Sequence, residues 1–183
     1  MSEVNLKYYN NDWFRPGNKI QIIIWMIVSY LIFRTSLPIP SKIKKSILIL
    51  FGAKIGTGVI IKPSVHIKYP WNLNVGDYTW IGENVWIDNL VKVDIGSNCC
   101  ISQGAYLLTG NHDYKKHTFD LIISEIKIKD GAWVGAKAIV SPGVTMGAQS
   151  LLTVGSVANK DLLDNSIYQG NPAMFKKQRV IKQ

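Results

Sequence analysis

The sequence predicts an all-β fold, a parallel β-helix of about five turns with one extruded loop, preceded by a short α-helical extension. Three observations predict it. From Ile55 onward aliphatic residues recur every six positions, a glycine often follows the aliphatic, and a small or β-branched residue sits four positions after it. A helix has a period of 3.6 and a half-buried strand a period of 2, so neither generates six. A six-residue unit instead supplies one short strand and one corner of a triangular coil, and three units close a turn. Stacked turns then bury a continuous aliphatic column.

The elements follow in order. Residues 1–19 are polar and aromatic, with Pro16-Gly17 as a breaker. Ile20–Phe33 is apolar except for Gln21 and Ser29. As a helix it spans roughly 21 Å, short of the ~30 Å hydrocarbon core. The RTSLP that follows offers no small-x-small cleavage pattern, so the segment is not read as a signal peptide. Two readings stay open: packing on the main domain or a neighbouring subunit, and peripheral contact with a membrane. Leu37-Pro38-Ile39-Pro40 breaks the chain before a second helix over Ser41–Phe51. Ser41 can cap that helix, Ile43, Ile47 and Leu50 share a face, and Gly52 can end it.

The repeat runs Ile55, Ile61, Ile67, then after a slip Val75, Ile81, Ile87, Val93, and after another Ile95, Ile101, Leu107. It resumes as Ile128, Val134, Val140, Met146, Leu152, and a last slip gives Val154. The expected division is an extension over 1–52, a β-helix over 53–160 with a loop over 109–125, and a C-terminal tail over 161–183. A loop of that size leaving a regular solenoid is usually functional. It holds His112 and His117, two of the three histidines.

The 183 residues make one domain with an appendage. Lys and Arg number 21 against 12 acidic residues, a net +9 that favours an anionic ligand or surface. No nucleic-acid recognition motif accompanies that charge, so nucleic acid is not expected as a partner. Cys99 and Cys100 are adjacent and make no disulfide framework. A reducing, cytoplasmic location follows, with the inner face of the cytoplasmic membrane as the further reading for the apolar helix.

FGAKIGTGVIIKPSVHIKYPWNLNVGDYTWIG (51–82), TGNHDY (109–114), GAWVGAKAIVSPGVTMG (131–147) and GNPA (170–173) resemble the hexapeptide-repeat acyltransferases. Within them the chain is most similar to the bacterial polysaccharide-biosynthesis O-acetyltransferases of the colanic acid type. The resemblance implies a left-handed parallel β-helix, against the usual crossover hand. It also implies a homotrimer with sites between adjacent prisms, and acetyl-CoA as co-substrate. The activity implied is O-acetylation of a free or lipid-linked saccharide in exopolysaccharide, capsule or lipopolysaccharide biosynthesis.

The loop histidine is the family's general base, and His112 matches it. A sugar hydroxyl is a poor nucleophile, and histidine changes charge near neutral pH, so it can take the proton during attack on a thioester. Thiolate leaves readily, so no metal is expected. Asn111 beside His112 and Asp88, at a position usually small or glycine, are candidate acceptor contacts; a solvent-facing corner is the other reading of Asp88. Trp86 and Trp80 face outward, to stack on a sugar ring or to pack on a neighbouring subunit. For the donor, Gly135, Ala136, Gly155 and Ser156 offer backbone groups to the pantetheine arm, and the resemblance adds Asn159, Lys160 and the GNPA turn. Lys176, Lys177 and Arg179 either meet the phosphates or form a solvated tail.

Alternatives remain. Cys99 falls at the small inward position and Cys100 outward, and an acyl-cysteine route is the rival to direct attack. N-acetylation of a nucleotide-linked amino sugar or small acceptor fits the same fold. A γ-carbonic-anhydrase-like zinc enzyme would use His112, His117 and His66, although that family's HGC continuation is missing. A non-catalytic trimeric scaffold would bind no CoA.

Overall fold

The computed structural model describes residues 3–182. Helix α1 (Lys19–Val28) begins where the Asn18 side chain accepts the Ile20 N–H at 2.8 Å, and it runs on through a π-helical turn, Ser29–Phe33. Helix α2 spans Ser41–Leu50. Both rest on the first coil. The Trp25 indole donates to the Ile67 carbonyl at 2.9 Å, and the fully buried Lys44 ammonium donates to the Lys62 and Ile61 carbonyls at 2.8 and 3.4 Å. Burial lowers the Lys44 pKa, and the two carbonyls take the place of lost water.

From Lys54 the chain coils through three parallel faces. The first holds Lys54–Ile55, Leu73–Val75, Val93–Ile95, Ile126–Ile128 and Thr145–Met146. The second holds Ile60–Ile61, Trp80–Ile81, Cys100–Ile101, Trp133–Val134, Leu151–Leu152 and Ser166–Gln169. The third holds His66–Ile67, Trp86–Asp88, Tyr106–Leu108, Ile139–Val140 and Val157–Ala158. These make five complete turns of a parallel β-helix. A sixth is begun by Leu162, bridged to Met146, and by Ser166–Gln169.

The six-residue period fixes the interior. Ile61, Ile81, Ile101, Val134 and Leu152 stand in register on the second face and are all buried. The glycine after the aliphatic answers to close approach rather than to dihedral freedom: a Cβ on Gly135 would lie 2.6 Å from the Val154 nitrogen of the next coil. The positive φ of the bend falls two residues later, at Gly155 for example (φ +65°). That corner corrects one expectation. Val154 does not restart the column but is exposed, because the register runs unbroken from Leu152 to Ala158, with Ser156 buried between them.

The loop forms an antiparallel hairpin, Gly110–His112 against Leu121–Ile123, before the first face resumes at Ile126. The segment expected as a tail, 161–183, carries two strands. Ser166–Gln169 turns through GNPA into Met174–Gln178, which pairs back antiparallel.

Candidate active site

His112 stands at the outer end of the short hairpin ladder, opposite Leu121, with Gly110 opposite Ile123 at its root. Its Nδ1 lies 2.8 Å from the Phe119 carbonyl, and its ring stacks on the Phe119 ring with centroids 4.3 Å apart and an angle of 6°. A carbonyl only accepts, so Nδ1 carries the proton of the neutral ring and Nε2 keeps its lone pair. Phe119 adopts φ +53°, which turns its carbonyl back toward the ring. The Asn111 side chain accepts the His112 backbone N–H at 2.8 Å.

The root is fixed to the coil below. Thr109 is buried, its hydroxyl donates to the Asp88 carbonyl at 2.7 Å, and its own carbonyl accepts the Ser124 N–H. Asp88 pairs in register with Leu108, so it lies one rung beneath the strand that ends in the loop. Its carboxylate is largely buried and meets the Lys68 ammonium at 2.9 Å. Lys68 and Tyr69 are held in turn by Asn89, whose side-chain oxygen accepts both backbone N–H groups and whose amide donates to the Tyr69 carbonyl.

These residues line a cleft of about 590 Å³ that brings together His112, Asn111, Asp88, Lys68 and Tyr69. Leu90, Leu108, Gly110 and Leu121 add coil and hairpin surface, and a further wall comes from the N-terminal segment: Tyr9, Asn11, Phe14 and Pro16. The Asn5 N–H donates to the His117 carbonyl at 2.9 Å, the Trp71 indole donates to the Pro16 carbonyl at 2.6 Å, and the Tyr9 ring packs 5.6 Å from that of His112. Sequence reading missed Tyr9, Phe14, Lys68, Tyr69 and Phe119. The only hint was the aromatic run YYNNDWF, which has no period to show where it lies.

Trp86 does not join them. It is outward and half exposed, stacked on Tyr106 (5.1 Å) and tilted against His66 (5.5 Å), and it lines a neighbouring groove beside α1. Trp80 is exposed on the second face. His117 sits beyond the loop root, edge-on to Tyr8. His66 is across the third face, its pKa lowered by burial and by Arg34. Among the described residues no three His, Cys, Asp or Glu are gathered so as to hold a metal ion.

The donor candidates divide between two edges of the third face. Gly135, Ala136, Gly155 and Ser156 form the corner that leads into it; Asn159 and Lys160 lie exposed at the corner that leaves it, on the same edge as the His112 loop. At the first corner Gly155 donates to the Ala136 carbonyl at 2.9 Å. The Ala136 N–H and the Gly155 carbonyl have no backbone partner among the described residues. Ser156 corrects its assignment, since both its backbone groups bond within the coil and its buried hydroxyl meets Thr153 and the Gly170 N–H. Lys177 is exposed on the last strand, opposite Ile167. Arg179 is not free for a phosphate: it donates to the Gly131 and Gln149 carbonyls at 3.0 and 3.1 Å.

No family model matches the chain. The Escherichia coli K12 protein named as colanic acid biosynthesis acetyltransferase WcaF is 40% identical over 167 residues, covering 91% of this chain and 92% of its own. The galactoside O-acetyltransferase of the same strain is 29% identical over 150 residues, or 79% and 71% of the two chains. A hexapeptide-repeat-containing acetyltransferase of Vibrio cholerae O1 biovar eltor, solved with acetyl-CoA, shares the fold with a TM-score of 0.76 at 21% identity, over 89% and 87% of the chains.

Proposed function

Since the chain belongs to the hexapeptide-repeat acetyltransferase family, we propose that it transfers the acetyl group of acetyl-CoA to a sugar hydroxyl in bacterial surface-polysaccharide biosynthesis, with His112 as general base. The similarity to an acetyltransferase named for colanic acid biosynthesis and to a galactoside O-acetyltransferase supports the reaction class. The observation that carries the reading is the 2.8 Å contact between His112 Nδ1 and the Phe119 carbonyl inside the Asp88 cleft.

That contact leaves Nε2 as the basic atom and fixes the plane of the ring. Nε2 takes the proton of the acceptor hydroxyl as its oxygen attacks the thioester carbonyl. The C–S bond then breaks, and the same proton passes from Nε2 to the departing thiolate. Asp88 accepts hydrogen bonds from neighbouring sugar hydroxyls, Asn111 can accept or donate them, and the Lys68 ammonium pairs with the largely buried Asp88 carboxylate. Tyr9 and Phe14 supply apolar wall for the sugar face.

A second copy completes the site in this reading. Ala136 and Gly155 lie at the opposite edge of the third face from the His112 loop. A neighbouring prism in a trimer would bring its own Ala136–Gly155 corner to the His112 loop, with Lys160 at the phosphates.

The test is mass spectrometry of acetyl transfer from acetyl-CoA to a panel of free, nucleotide-linked and polyprenyl-linked sugars. The expected product is an alkali-labile acetate ester on one hydroxyl. A stable amide on an amino sugar, or no transfer to any sugar, would contradict the reading.

A further inference from the structure

Acetyl transfer makes no use of the outer face of the N-terminal helix or of the uneven distribution of charge. Helix α1 and its π-helical turn bury Trp25, Ser29 and Phe33 against the coil. The opposite side is equally apolar. Ile20, Ile23, Ile24, Ile27, Tyr30 and Leu31 follow an i, i+3, i+4, i+7 spacing, and each is between 48% and 68% exposed. Leu37, Ile43, Ile49 and Leu50 extend the exposed apolar surface over the proline turn and α2. A helix apolar on all sides has not found all its partners. An exposed patch of this extent marks a docking surface.

The charge distribution indicates the partner. Residues 13–76 contain nine Lys and Arg and no Asp or Glu, while the rest of the chain has twelve of each sign. The whole net charge of +9 therefore belongs to the segment that carries the apolar face. Arg15 precedes α1, Lys19 opens it, Arg34 follows its π-helical turn and Lys42 lies on α2, all exposed.

We propose that this face docks the protein on an anionic bilayer, with α1 lying in the plane of the interface. Residues 19–33 span only ~22 Å as a helix, against a hydrocarbon core of ~30 Å. No helix among the described residues is long and apolar enough to cross a membrane. An interfacial helix with basic flanks needs neither length nor a partner strand: its apolar side enters the headgroup boundary and its cations meet anionic lipid. Face-to-face pairing with a second copy would instead oppose two surfaces of the same positive sign.

The placement also orients the enzyme. A groove of about 680 Å³ at the foot of the helix, lined by Met26, Tyr30, Arg34, His66 and Trp86 among others, shares Lys68 and Tyr69 with the His112 cleft. A bilayer under α1 thus adjoins a groove that shares two lining residues with that cleft. The docking stands apart from the acetyl-transfer reading, because its test measures binding alone.

The experiment is co-sedimentation of the full chain with phosphatidylcholine vesicles, with and without phosphatidylglycerol. The protein should pellet with the anionic vesicles only, and added salt should release it. Ile23→Ser combined with Ile27→Ser should weaken binding at least tenfold without changing the circular dichroism or the mass by light scattering. Lys19→Gln and Lys42→Gln should each weaken it roughly fivefold. No pelleting of the wild type, or equal pelleting of the double variant, overturns the proposal. So does a double variant of lower mass, which would assign the face to a second copy of the chain.

Discussion

Cys99 occupies the small inward position of its repeat unit, with Sγ 3.2 Å from the Lys129 carbonyl. Burial pushes its thiol up from 9.0 to about 11, so it is a neutral, poorly nucleophilic group at physiological pH. Folded protein should resist iodoacetamide at Cys99 at pH 8 and react fully in urea, as read by peptide mass spectrometry. The sign for stability follows. The unfolded thiol ionises first, so the contribution is complete below about 9 and is lost as pH rises through about 11. Rapid native labelling, or an acetyl-Cys99 adduct formed without acceptor, would revive the acyl-cysteine route. Cys99 was legible in the sequence because position in a six-residue unit determines inward or outward. Ser156 was not, because a slip read after Leu152 shifted it by two positions. The exposed Val154 and the positive φ of Gly155 show that no slip exists.

At the level of elements, a regular solenoid exposes its own interruptions. The aliphatic column stops at Leu107 and resumes at Ile128, which marked the extruded loop and its histidine in the sequence; that the loop is an antiparallel hairpin was not legible there. The cleft's other wall left no such mark. Residues 5–16 are placed by single contacts, Asn5 to His117 and Trp71 to Pro16, and by the ring of Tyr9 against His112. No periodic pattern encodes contacts of that kind. Because Tyr9 touches the cleft but not the donor corner, Tyr9→Ala should raise the acceptor KM several-fold and leave the acetyl-CoA KM nearly unchanged. An equal rise in both, in steady-state kinetics with one substrate saturating, would mean that the segment shapes the whole site and not the acceptor side alone.

Across the whole molecule, the proposed reaction sets its base and acceptor cleft at one edge of the third face and its donor-binding backbone groups, at Ala136 and Gly155, at the other. That separation calls for a neighbouring copy, and the family resemblance makes the expected assembly a trimer. Light scattering should give three times the chain mass, and dilution to monomer should abolish CoA binding; a stable monomer with full activity would contradict it. The sequence carried this only through resemblance, since the period of six specifies a coil and says nothing about its neighbours. The central claim is that His112 removes the acceptor proton, and the pH dependence of kcat/KM for wild type and His112→Ala, with a sugar that the wild type acetylates, tests it most directly. The wild-type value should show the rising limb with pH that a general base gives. His112→Ala should keep its fold, its mass and its acetyl-CoA affinity, lose that rise, and fall in kcat by ~10²–10⁴. A variant that turns over near the wild-type rate, or that keeps the same pH profile, would assign the proton transfer to another group.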